Sequence, residues 1–145
     1  MKVKIKKILE HAILPEYQTA LAAGFDFHAA IIEPVIIKPG ALEIISTGVA
    51  VEIPAGYELQ IRPRSGLAFK HRVLPVNAIG TIDADYRGEM MIGLVNNGTA
   101  DFVIEPRMRI AQGIVAKHET VEWEEVAELS DTGRGTGGFG STGGI

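Results

Sequence analysis

Short apolar runs recur along the chain between turn signals. Val3 and Ile5 alternate with lysines, the pattern of a strand with one wet face. Val35-Ile36-Ile37 stops at Lys38-Pro39-Gly40, a turn. Ala41 to Ile53 is rich in β-branched side chains and ends at Pro54-Ala55-Gly56, after which Tyr57 to Ile61 alternates again. Met90 to Val95 leads into Asn96-Asn97-Gly98, a hairpin signal, and Phe102 to Ile104 and Ile110 to Ala116 complete the set. Short strands at this spacing predict an all-β barrel or sandwich. Two segments have helical features. Ser65 to Arg72 reads as a short helix opened by Ser65. Val121 to Leu129 holds helix-favouring glutamates, yet Val121, Trp123 and Val126 suit an extended edge, and the extended reading is preferred. The division is a β-domain over residues 1–130 followed by a glycine-rich tail over 131–145.

Composition narrows the class. At 145 residues the chain is one domain by length, large enough to bury a core without staples. Hydrophobic residues at 46% and charged residues at 22% fit a soluble globular protein. No run approaches the roughly 18 apolar residues of a membrane span, and the lysine-rich start lacks the apolar segment of a signal peptide. A cytoplasmic location is expected. Cysteine is absent, which excludes disulfides and thiolate metal sites. A net charge of −4 argues against a nucleic-acid-binding surface but leaves room for one small nucleotide held by a few local cations.

Seven of the thirteen residues from Gly133 to Ile145 are glycine, yet the stretch also carries Arg134 and Phe139. Glycine backbone can offer N–H groups to phosphate, arginine forks onto phosphate oxygens, and a phenyl ring stacks on a base. Taken alone, the tail is either an arm that closes over a nucleotide or a solvated terminus. Arg62-Pro63-Arg64-Ser65-Gly66-Leu67-Ala68 is either an anion site at a helix start or a capped helix with surface arginines. Asn77 to Glu89 reads as an incoming strand, Gly80-Thr81-Ile82, followed by a hairpin turn over 83–88. Asp83 and Asp85 point the same way if extended, and paired carboxylates can hold and activate a water, although Asp and Gly also suit a plain polar turn. Gln112 interrupts an apolar run and is either a core amide or a ligand group. Asp26, between two phenylalanines, reads alone as a structural carboxylate. The histidines at 11, 28, 71 and 118 lack zinc-ligand spacing, and no nucleophile-elbow or Walker sequence occurs.

Five segments in order are A-G-F-D-F at 23–27, R-P-R-S-G-L-A at 62–68, G-T-I-D-A-D-Y-R-G-E at 80–89, R-I-A-Q-G-I at 109–114 and R-G-T-G-G-F-G-S-T-G at 134–143. Together the chain resembles the homotrimeric dUTP diphosphatase (dUTPase) family, over nearly its whole length. The resemblance implies a jelly-roll-like β-barrel subunit, a homotrimer with active sites shared between subunits, and a mobile C-terminal arm lent by a neighbour. It implies hydrolysis of dUTP to dUMP and pyrophosphate by water attack on the α-phosphorus. That reaction limits uracil incorporation into DNA and supplies dUMP for thymidylate synthesis. Mg²⁺ would be carried in by the triphosphate, with no dedicated protein ligands. Carried over residue by residue, Asp83 is the general base and Tyr86 the ring that excludes a ribose 2′-hydroxyl. Asn77 and the backbone of Gly80, Thr81, Ile82 and Asp83 read the uracil edge, with Met91 beside the pocket. Arg64, Ser65 and Gly66 hold phosphate oxygens from an adjacent subunit, and Gln112 bonds the α-phosphate region. Arg134 clamps the terminal phosphates, Phe139 stacks on uracil, and Asp26 supports the catalytic group formed with Arg64 and Gln112. Departures are mild. Phe25 stands where tyrosine or an aliphatic residue is common, and Arg72 where glycine is frequent.

Two other readings compete. A dCTP deaminase shares the fold but needs a glutamate a few residues beyond the Ile-Asp segment, where this chain has Gly93. A non-catalytic binding module on the same fold would lack the base or the arm, and both are present.

Overall fold

In a computed structural model of the chain, residues 1–77 and 79–138 are described. Among them the chain forms eleven strands and one short helix. The longest strand, β11 (Arg109–Lys117), lies between β2 (Phe25–His28) and β6 (Tyr57–Arg62), and β8 (Gly80–Ile82) extends this sheet beyond β6. A second sheet orders β4 (Leu42–Ser46), β9 (Met91–Asn96) and β7 (Val73–Pro75). Two further antiparallel pairs join β1 (Lys4–Lys7) to β5 (Val49–Glu52) and β3 (Val35–Ile37) to β10 (Phe102–Ile104). The result is the expected all-β, jelly-roll-like architecture, although the ladders remain four separate sheets rather than one closed ring.

In β6 and β9 the alternation read from the sequence is the alternation of burial, whereas all four residues of β1 are exposed despite the alternation of Val3 and Ile5 with lysines. Leu59 and Ile61 of β6 face the core, whereas Glu58, Gln60 and Arg62 form a hydrogen-bonded polar row on the opposite face. Ile92 and Leu94 of β9 enter the core beside Ile37, Ile45 and Ile104. Each fully buried aliphatic side chain of this kind stabilises the fold by about 1.5–3 kcal/mol.

Three local expectations are corrected. Asn96-Asn97-Gly98 is not a hairpin turn, because β10 pairs with β3 and not with β9. The fully buried Asn96 side chain instead donates to the carbonyls of Ile37 and Ala100, both at 2.8 Å, and accepts the Gly98 N–H at 2.8 Å. All the polar atoms of that buried amide are satisfied, which explains an asparagine at the end of a core strand. Ser65 does not cap the helix. Helix α1 (Ser65–His71) begins after Arg64, which has extended backbone and no side-chain cap bond. Its C-cap is Arg72 at φ 58°, the left-handed conformation that glycine adopts most readily. Finally, β8 and β9 belong to different sheets, so 83–88 is a connection between sheets rather than the tip of a ladder. Beyond β11 the described residues up to 138 form neither helix nor strand, so 121–129 is not helical and joins no sheet as an edge.

Candidate active site

Most of the candidate residues line two clefts. The first, about 260 Å³, is lined by Asp26, Arg64, Ser65, Gly66 and Gln112. Antiparallel registers set Asp26 opposite Gln112 and Gln112 opposite Arg62, so three strands bring three motifs into one row across the sheet. Asp26 is buried and grips two guanidinium groups. Arg64 Nε donates to Oδ1 at 2.9 Å and Arg109 Nη1 to Oδ2 at 3.2 Å. Arg64 also donates to the Arg109 carbonyl at 3.2 Å. Charge-assisted bonds of this kind fix a guanidinium plane as well as its position. A register shift between Arg109 and Ala111 turns Arg109 toward the carboxylate. Gln112 donates to the Pro63 carbonyl at 2.9 Å, tying β11 to the segment that leads into α1. Gly24 leaves room for that amide, since a Cβ there would lie 2.5 Å from Gln112 Oε1.

The second cleft, about 200 Å³, is lined by Thr81, Ile82, Asp83, Tyr86, Glu89 and Met91. Residues 83–86 form a turn closed by the Tyr86 N–H on the Asp83 carbonyl at 3.2 Å. Asp83 and Asp85 are both exposed, and because the turn replaces extended backbone, the strand argument for their shared direction does not apply. Tyr86 folds back over Gly88, whose missing Cβ would lie 2.5 Å from Tyr86 Cζ. The Tyr86 hydroxyl donates to the Glu89 carbonyl at 3.0 Å. Asn77 lies beside Gly80, with its Nδ2 2.8 Å from the position a Gly80 Cβ would take. The two clefts share no lining residue.

Arg134 lines neither cleft. Its Nε donates to the Gly137 carbonyl at 2.8 Å within a turn over 132–137. Phe139 lies outside the described residues. Gly93 sits on β9 opposite Ile44, with no acidic side chain at that position.

His28, on β2 beyond Asp26, carries a buried Nδ1 with no hydrogen-bond partner among the described residues. Burial lowers its pKa below the ordinary 6.5, outweighing the opposing pull of Asp26 and Glu16. Sequence reasoning gave no chemical role to Arg109 or to Glu89. The one available signal for Arg109 was its place three residues before Gln112 in the fourth motif. Among the described residues, no three His, Asp or Glu side chains cluster as a metal-binding group, and no helix is long and apolar enough to cross a membrane.

A small all-β domain with two clefts, one lined by a fixed arginine and one by a carboxylate beside an aromatic ring, has the parts of a nucleotide-phosphate enzyme. The dUTPase family model matches residues 10–143. A deoxyuridine 5′-triphosphate nucleotidohydrolase of Nautilia profundicola is 57% identical over 143 residues, covering 99% of each chain. The dUTPase of Staphylococcus bacteriophage 80alpha, solved with dUPNHPP, superposes with a TM-score of 0.90 at 29% identity, covering 98% of each chain. A mutant dUTPase from phage phi11 of S. aureus, which coordinates a structural Mg(II) ion, superposes at 0.81 with 26% identity, over 89% of this chain and 99% of its own. The chain belongs to the dUTPase family.

Proposed function

We propose that this chain hydrolyses dUTP to dUMP and pyrophosphate, with the triphosphate spanning the two clefts of neighbouring copies. The observation that carries the reading is that Asp26, Arg64, Ser65, Gly66 and Gln112 line one cleft, whereas Thr81, Ile82, Asp83, Tyr86 and Met91 line another. Arg64, Ser65, Gly66 and Gln112 of one copy hold phosphate oxygens, with Arg64 kept in plane by Asp26. Asn77 and the Gly80–Asp83 backbone of the next copy read the uracil edge, leaving no room beside Met91 for a C5 methyl. Tyr86 lies against the deoxyribose, where a 2′-hydroxyl would collide. Asp83 orients a water toward the α-phosphorus and takes its proton. Mg²⁺ arrives with the triphosphate as part of the substrate and offsets the charge of its oxygens. Arg134 and Phe139, on an arm from a further copy, close over the terminal phosphates and the base. Such a reaction on a free nucleotide fits a cytoplasmic enzyme.

A shared site explains why neither cleft is complete by itself, and a homotrimer joins them in a closed ring. The exposed Val121, Trp123 and Leu129 on the segment after β11 also favour a partner, since a monomer would leave them in water. Hydrolysis in ¹⁸O-labelled water tests the chemistry. Label in dUMP supports attack at the α-phosphorus, and label in pyrophosphate contradicts it. Mixing tests the sharing. Asp83→Asn and Arg64→Ala chains, each inactive alone, should regain part of the activity when refolded together, and no recovery would contradict the shared site.

A further inference from the structure

Glu89 has no part in the chemistry above, yet it joins the sugar cleft to the body of the fold twice. Its side-chain Oε1 accepts the Gly48 N–H at 2.8 Å and a short hydrogen bond from the Ser46 hydroxyl, across more than forty positions of chain. Its main-chain carbonyl accepts the Tyr86 hydroxyl at 3.0 Å. The next residue is fixed to the same region, because Met90 N–H donates to Val49 and the Met90 carbonyl accepts the Thr47 hydroxyl at 2.6 Å. The Ser46–Val49 junction between β4 and β5 is itself packed into the core, with Thr47 and Val49 fully buried. The 83–89 connection has few such anchors of its own. Arg87 serves only the neighbouring carbonyls of Ala84 and Tyr86.

We infer that Glu89 is the positioning residue of the sugar gate. Its carboxylate fastens the end of the 83–89 connection to the β4–β5 junction, and its carbonyl then fixes the Tyr86 hydroxyl, holding the ring over Gly88 at one height above the cleft. Discrimination between deoxyribose and ribose therefore depends on a side chain other than the gating ring. An aromatic ring on an unanchored loop could retreat from a 2′-hydroxyl, whereas a ring pinned at its hydroxyl cannot retreat without breaking that bond. The inference rests on the reading of Tyr86 as the gate.

The test compares the ratio of kcat/KM for dUTP to that for UTP in Tyr86→Ala, Glu89→Asp and Glu89→Gln, with thermal midpoints recorded. Glu89→Asp keeps the charge but shortens the reach to Gly48 and Ser46, and should lower the ratio by about ten-fold or more. Glu89→Gln keeps an oxygen where both donors point and should stay within about three-fold of the parent, below the usual size of a lost specific contact. A merely structural Glu89 would lower the thermal midpoint and leave the ratio intact. That result, with a lowered ratio in Tyr86→Ala, overturns the role of Glu89 while the gate stands. An unchanged ratio in Tyr86→Ala overturns the gate, and the positioning role falls with it.

Discussion

Asp83 and Tyr86 are two corners of one turn, the Asp83 carbonyl accepting the Tyr86 N–H at 3.2 Å. The proposed base and the proposed sugar gate therefore cannot move independently. A shift of that turn changes the aim of the water and the fit of the sugar together, so reaction and selectivity are coupled at the backbone.

Asp83→Asn keeps the shape of the turn and removes the proton acceptor. Turnover should fall by about 10²–10⁴-fold, the usual worth of a general base. Affinity for dUTP, measured by calorimetry, should change little. A variant with near-normal kcat would remove Asp83 from its assigned role.

Asp26→Asn leaves Arg64 and Arg109 without their shared counter-charge. Both arginines are partly exposed, which screens the loss, so denaturant unfolding should report about 1–3 kcal/mol of destabilisation. The kinetic cost should exceed what that loss explains, because a neutral amide oxygen fixes Arg64 less firmly toward phosphate than the carboxylate does. kcat/KM should drop at least about ten-fold at temperatures where the variant is fully folded, since misplaced contact groups cost that much or more.

His28 gives the fold a predictable acid response. Its folded pKa lies below the unfolded value of 6.5, so the unfolded chain binds the proton more readily. Its contribution to stability is complete above pH 6.5 and is lost as pH falls through the lowered folded value. Unfolding midpoints of a His28→Gln variant should decline less steeply below that pH than those of the parent. Parallel declines would show that other groups set the acid limit.

Truncation after Asp131 removes Arg134 and Phe139. The β-domain should keep its unfolding midpoint, because residues beyond β11 add no strand to any sheet among the described residues. Hydrolysis should fall by orders of magnitude if the arm completes the site. Full activity in the truncated chain would exclude the arm.

The strands were legible because their apolar positions alternate and the registers preserve that alternation, as in β6 and β9. Asn96-Asn97-Gly98 was misleading because the turn signal is local, whereas the buried amide is claimed by Ile37, fifty-nine positions away. The Asp26–Arg109 contact spans eighty-three positions, beyond the reach of any periodicity. Motif order nevertheless carried most residues of both clefts, since the motifs that line them are contiguous strand ends or turns. What the order could not carry was their division into two separate groups, which follows from how the strands are sorted among sheets. Nor could it reveal Glu89, whose importance lies in what its side chain reaches across to.

The most direct measurement is a nucleotide panel of dUTP, dCTP, dTTP and UTP with Mg²⁺, assayed for pyrophosphate and for ammonia. The account predicts rapid pyrophosphate release from dUTP, far slower release from the other three, and no ammonia. Ammonia from dCTP, or dUTP bound tightly without pyrophosphate release, would contradict it.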